Sequence, residues 1–87
     1  MSTFQRAHIQ SQQTANVGFD WPDSLPVAHK VVEEAAELLE AVEQQHRDCI
    51  RHEIGDVCLA LVSLARHQEI DLESCFIEAI NRFDTRW

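Results

Sequence analysis

Two glycines and two prolines are the only strong backbone punctuation in 87 residues. A chain so rarely interrupted favours a few long helices over many short strands. Apolar spacing agrees and predicts four helical segments. The first spans about Thr3 to Ala15 and carries a sparse apolar set, Phe4, Ala7 and Ile9. Val17-Gly-Phe-Asp-Trp-Pro-Asp-Ser-Leu-Pro then reads as an ordered loop, broken by Gly18 and Pro22, with Asp23 or Ser24 able to cap the next helix. The second helix runs from about Leu25 to Gln45, with Pro26 in its first turn, where a missing N–H is harmless. Val27, Val31, Leu38 and Val42 recur along it at helical spacing. A polar turn near His46 to Asp48 precedes a third helix to about Gln68, with Ile50, Ile54, Val57, Leu61 and Leu64 on one side. Asp71 caps a fourth helix that reaches the C-terminus and carries Leu72, Phe76, Ile80 and Phe83. Short connections imply antiparallel neighbours, so the expected fold is all-α, a four-helix antiparallel bundle in one domain over residues 1–87.

Charge narrows the partners. Fifteen acids against seven Lys and Arg give a formal net charge of -8. Duplex nucleic acid and anionic membranes are held mainly by Lys and Arg, so neither is an expected partner. An anionic small substrate remains compatible if a divalent cation stands between it and the carboxylates. Cys49, Cys58 and Cys75 are odd in number and form no CxxC, which points to reduced thiols rather than a disulfide framework or a zinc site. The opening Met1-Ser-Thr-Phe-Gln-Arg lacks an apolar run, and Val57 to Ala65 is too short to span a bilayer. A cytoplasmic location is the expectation.

Among so many acids, position separates the unusual ones. At about 100° per residue, Ala41 and Val27 flank Glu34 at roughly 340° and 20°, so Glu34 lies inside the apolar arc of the second helix. Glu37 sits at the border of that arc beside Lys30, whereas Glu33 and Glu40 fall further out. The third helix repeats the arrangement. Ala60 and Leu64 flank Glu53 at about 340° and 20°, and Asp56 is displaced about 60° in the same sense as Glu37. Burying four carboxylates without compensation is strongly unfavourable. Either they reach solvent or a cation binds them, and Mg²⁺ prefers carboxylates together with water and substrate phosphate. The competing reading is a solvated face, since acids at i, i+3 are common there. It is weaker for Glu53 and Asp56, since Asp56 opens a segment, Val57 to Ala65, with no other charge.

The pattern Glu34-x-x-Glu37, fifteen residues, then Glu53-x-x-Asp56 resembles the signature of the MazG-like all-alpha nucleotide pyrophosphohydrolases. Val17-Gly-Phe-Asp-Trp-Pro, Lys30-Val-Val-Glu-Glu-Ala-Ala-Glu-Leu, Glu53-Ile-Gly-Asp-Val and Leu64-Ala-Arg-His are similar to successive blocks of that family, so the match runs from about Gln12 to Trp87. The resemblance implies antiparallel helices that assemble as a dimer or dimer of dimers. It implies hydrolysis of a nucleoside triphosphate, ribo or deoxy, to monophosphate and pyrophosphate. It gives Glu34, Glu37, Glu53 and Asp56 as Mg²⁺ ligands and catalytic residues, with Mn²⁺ as an alternative ion, and places Lys30 at a basic position of the family. In the last helix Arg82, Phe83, Arg86 and Trp87 fit the family's pattern, but Ile80 stands where relatives carry Asn, and Asn81 lies one residue on.

For the remaining residues two readings stay open. Arg82 and Arg86, at i, i+4, can contact phosphate, or pair at the surface with Asp84 or Glu78. Lys30 can contact substrate or only salt-bridge Glu34. Trp21 can stack on a nucleobase or cover the end of the bundle. A di-iron bundle needs two Glu-x-x-His motifs, and only Glu43-Gln-Gln-His46 fits. Two other functions remain in view: a non-catalytic helical module that dimerises and binds a protein, and a pyrophosphohydrolase acting on a phosphoribosyl-nucleotide.

Overall fold

Each helix begins on a side chain that satisfies its first free N–H groups. The computed structural model describes residues 2–16 and 23–86, with side chains for 2–13 and 23–84. It contains α1 (Thr3–Asn16), α2 (Ser24–Glu43), α3 (Arg47–His67) and α4 (Leu72–Arg86), and no strand among the described residues. Ahead of α1, the Ser2 Oγ accepts the Gln5 N–H at 3.1 Å while the Gln5 Oε1 accepts the Ser2 N–H at 2.7 Å. This is a reciprocal capping box. Asp23 caps α2 by accepting the Leu25 N–H at 2.9 Å, as its sequence position suggested. His46 caps α3 through Nδ1, which accepts the Cys49 N–H at 3.3 Å. Asp71 starts α4, accepting the Glu73 N–H at 3.2 Å and the Ser74 hydroxyl at 2.7 Å.

The ends of α2 and α3 share one device. Gln45 and Glu69 both adopt φ 56°, in the left-handed region that normally calls for glycine. The Gln45 N–H bonds the Val42 carbonyl and the His46 N–H bonds the Ala41 carbonyl, and Glu69 and Ile70 repeat this on Arg66 and Ala65. These are Schellman closures built without glycine. They explain the shift in boundaries from the sequence expectation. The left-handed Gln45 stops α2 at Glu43 rather than Gln45, and the cap at His46 draws Asp48 into the first turn of α3.

The turn at Gln44–His46 folds α3 back along α2, and these two helices share the most extensive interface. α1 lies against α3, where the Arg66 Nε donates to the Ser11 Oγ at 2.7 Å. α4 only touches α3, although Phe76 also meets Phe4 of α1 edge to face at 6.4 Å. Among the described residues the buried core is small: Val27 and Ala41 from α2, Ala60 and Val62 from α3, and one charged residue, Glu34. Other members of the expected apolar stripes are less enclosed. Val42 and Ile54 are about half exposed, and Phe76, Ile80 and Phe83 of α4 face outward.

Candidate active site

Val27, Glu34 and Ala41 are the buried residues of α2, each seven positions from the next. That spacing keeps them on one line facing α3. Glu34 therefore occupies a core position, with 7% of its surface exposed. Lys30, one turn earlier, offers its Nζ to the Glu34 Oε1 at 3.0 Å and lies 3.7 Å from the Glu33 Oε1. The salt bridge weighed from the sequence is present.

The second buried oxygen of Glu34 has no such partner. Both Glu34 Oε2 and Glu53 Oε2 are buried without a hydrogen bond. Potential ligand oxygens of Glu34, Glu37 and Glu53 lie within 4.8 Å of one another across the α2–α3 seam. A second group, His52, Glu53 and Asp56, meets the same limit, so Glu53 joins the two. Within it the His52 Nε2 and Asp56 Oδ2 are 3.1 Å apart. All four expected acids thus gather in one region, three as a direct cluster and Asp56 through Glu53. His52 is the addition that sequence reasoning did not single out. Its only signal was an i, i+4 spacing to Asp56, which solvated helix faces also show.

Titration follows from this geometry. The hydrogen bond from Lys30 holds the Glu34 carboxyl below the usual glutamate range, although burial works the other way. Glu37 moves upward, first because only its protonated form can donate a hydrogen bond to Glu34, and then because the Glu34 charge repels a second one. Lys30 is raised, first by its bond to Glu34 and then by the charges of Glu33 and Glu34. One ammonium therefore faces a cluster of carboxylates that carries more negative charge than it can neutralise. A buried carboxylate oxygen left without a donor is costly, and a cation removes that cost. The donor set is wholly oxygen in the direct cluster, which suits a hard divalent ion. The residues present fit such a group.

The MazG nucleotide pyrophosphohydrolase domain matches residues 23–87, three of the four helices and every acid of the cluster. The chain belongs to the MazG family. The nucleoside triphosphate pyrophosphohydrolase of Escherichia coli (strain K12) is 35% identical over 91 aligned residues, covering 100% of this chain and 34% of that protein. The nucleoside triphosphate pyrophosphohydrolase/pyrophosphatase MazG of Thermotoga maritima is 34% identical over 76 residues, covering 87% of this chain and 29% of that protein. The chain thus spans about a third of the length of the curated relatives it matches. Within the MazG match lie Lys30, Arg82 and Arg86, while Trp21 precedes it. Trp21 and the Arg86 side chain lie outside the described residues, and Arg82 is exposed on α4 rather than on either helix of the acid cluster. No helix among the described residues is long and apolar enough to cross a membrane.

Proposed function

We propose that this MazG domain hydrolyses a nucleoside triphosphate to monophosphate and pyrophosphate, using Mg²⁺ held by Glu34, Glu37, Glu53 and Asp56. The observation that carries the reading is the pair of buried, unpartnered carboxylate oxygens, Glu34 Oε2 and Glu53 Oε2, inside an acid cluster of a MazG domain. A bound divalent cation supplies charge neutralisation for phosphate oxygens and lowers the pKa of a bound water.

The chain's own groups divide the remaining work. Lys30 favours the ionised form of Glu34 and engages its Oε1, leaving Oε2 for the cation. Glu37 and Glu53 are the candidates to take a proton from the attacking water. Glu37 is the better fitted, because it is exposed and its proton affinity is raised, while Glu34 is held ionised. Arg82 and Arg86 are proposed as phosphate contacts and Trp21 as a stacking surface for the base.

The functional unit is proposed to be a homo-oligomer in the cytoplasm, a dimer or a dimer of dimers. In its support, a single chain leaves Phe76, Ile77, Ile80 and Phe83 of α4 exposed by 46% to 60%, while only four apolar side chains among the described residues are buried. The test of the activity is release of pyrophosphate from a panel of ribo- and deoxynucleoside triphosphates, with and without Mg²⁺. Mg²⁺-dependent release that Glu53→Gln removes supports the proposal. Release that ignores both Mg²⁺ and Glu53→Gln refutes it.

A further inference from the structure

We propose that His52 is a positioning residue for the metal site, holding Asp56 by a hydrogen bond from its Nε2–H to Oδ2. The proposal rests on the metal-binding reading above and adds a residue to it. An ionised carboxylate only accepts hydrogen bonds, so the 3.1 Å contact requires that Nε2 carry the hydrogen. The bond forms with either a neutral or a charged imidazole, and the proposal needs neither in particular.

The same construction appears on the facing helix. On α2, Lys30 takes Oε1 of Glu34 from one turn earlier at 3.0 Å and leaves Oε2 without a partner. On α3, His52 takes Oδ2 of Asp56 from one turn earlier and leaves Oδ1 for another ligand. Each acid pair thus carries one donor at i−4 that fixes a carboxylate by one oxygen. Asp56 needs such a hold more than Glu34 does. Its side chain is 36% exposed, against 10% for Glu34, so packing fixes it less. Ligating carboxylates are commonly oriented by hydrogen bonds of this kind, and their loss weakens metal affinity by roughly 10–100-fold. The His52 side chain is 72% exposed, which places its effect at the lower end of that range.

The experiment uses the full chain and Mn²⁺ alone, with free Mn²⁺ followed by electron paramagnetic resonance. His52→Leu should bind Mn²⁺ about tenfold more weakly than wild type. His52→Gln should bind within about twofold of wild type, because an amide at i also donates to an acid at i+4. Melting of the metal-free proteins checks that both variants fold. Equal Mn²⁺ affinity for wild type and His52→Leu overturns the proposal and leaves the metal reading standing. Loss of activity in His52→Leu at unchanged Mn²⁺ affinity also overturns it, since His52 would then act on substrate. A nitrogen coupling to bound Mn²⁺ that His52→Gln abolishes would make His52 a direct ligand and overturn it too. Absence of Mn²⁺ binding by wild type overturns both readings together.

Discussion

The α2–α3 hairpin and α4 make opposite use of apolar sequence. The hairpin turns its stripe inward, buries Val27, Ala41, Ala60 and Val62, and then gives one core position to a charge, Glu34. α4 has the more sharply segregated apolar face, yet none of its described side chains is buried, and Phe76, Ile77, Ile80 and Phe83 are each about half exposed in the single chain. A hydrophobic stripe records that something will cover it, and does not say whether the cover is the same chain. The hairpin covers its stripe within the chain and places the acid cluster there, whereas the proposed cover of α4 is a second copy of the chain.

The largest effect expected from breaking this contrast lies in the hairpin. Asp56→Asn replaces a proposed charged ligand with a neutral one and should lower pyrophosphate release by about two orders of magnitude or more, corresponding to several kcal/mol of lost charge stabilisation. Steady-state rates under saturating Mg²⁺ check this. Full Mg²⁺-dependent activity in the variant would remove Asp56 from the site.

The next effect belongs to α4. Fully burying one phenylalanine or isoleucine side chain contributes about 1.5–3 kcal/mol. If the proposed oligomer covers α4, Phe76→Asp with Ile80→Asp should therefore convert it to a 10.0 kDa monomer in sedimentation at micromolar concentration. A wild type that sediments only as monomer would show that α4 stays uncovered.

How much of this was legible beforehand differs between the two regions in the same way. The angular position of Glu34 and Glu53 inside apolar stripes was readable because a 100° step places any residue relative to its own helix. Their convergence across the seam agrees with that reading. The outward face of α4 was not readable, because periodicity ranks faces and says nothing of their partners. Nor were the Schellman closures, since Gln45 and Glu69 stand where glycine gives the usual signal. The hold of His52 on Asp56 was hidden for a related reason: the same spacing occurs wherever two polar residues share a wet face.

A smaller effect sharpens the account of the acid cluster. In metal-free protein Glu37 binds its proton more tightly when folded than when unfolded. Its contribution is therefore favourable at low pH and is lost as pH rises from the ordinary glutamate value of 4.5 through the raised folded value. Glu34 works in the opposite sense, giving stability above that ordinary value and losing it as pH falls through its lowered folded value. Melts of wild type and Glu37→Gln in chelator, taken from pH 4 upward, should show a loss of stability with rising pH that the variant lacks. Parallel curves for the two proteins would deny the interaction between Glu37 and Glu34.

The smallest effect concerns the helix ends and spares the site. Gln45→Gly and Glu69→Gly each relieve a left-handed residue and should add about 1 kcal/mol, or roughly 4–8 °C in Tm. Pyrophosphate release should not change. A loss of stability in either variant would argue against the φ of 56° at that position.

The central claim, that the seam between α2 and α3 is built for a divalent cation, is tested most directly by the effect of Mg²⁺ on thermal stability. A ligand that binds only the folded state adds about 2.7 kcal/mol to the unfolding free energy at one hundred times its Kd, and so raises Tm. Wild type should melt higher in Mg²⁺ than in chelator, and Asp56→Asn should gain less. In chelator the variant should be at least as stable as wild type, because one of several repelling carboxylates is gone. A wild-type melt that Mg²⁺ leaves unmoved, or an equal rise in both proteins, would contradict the account.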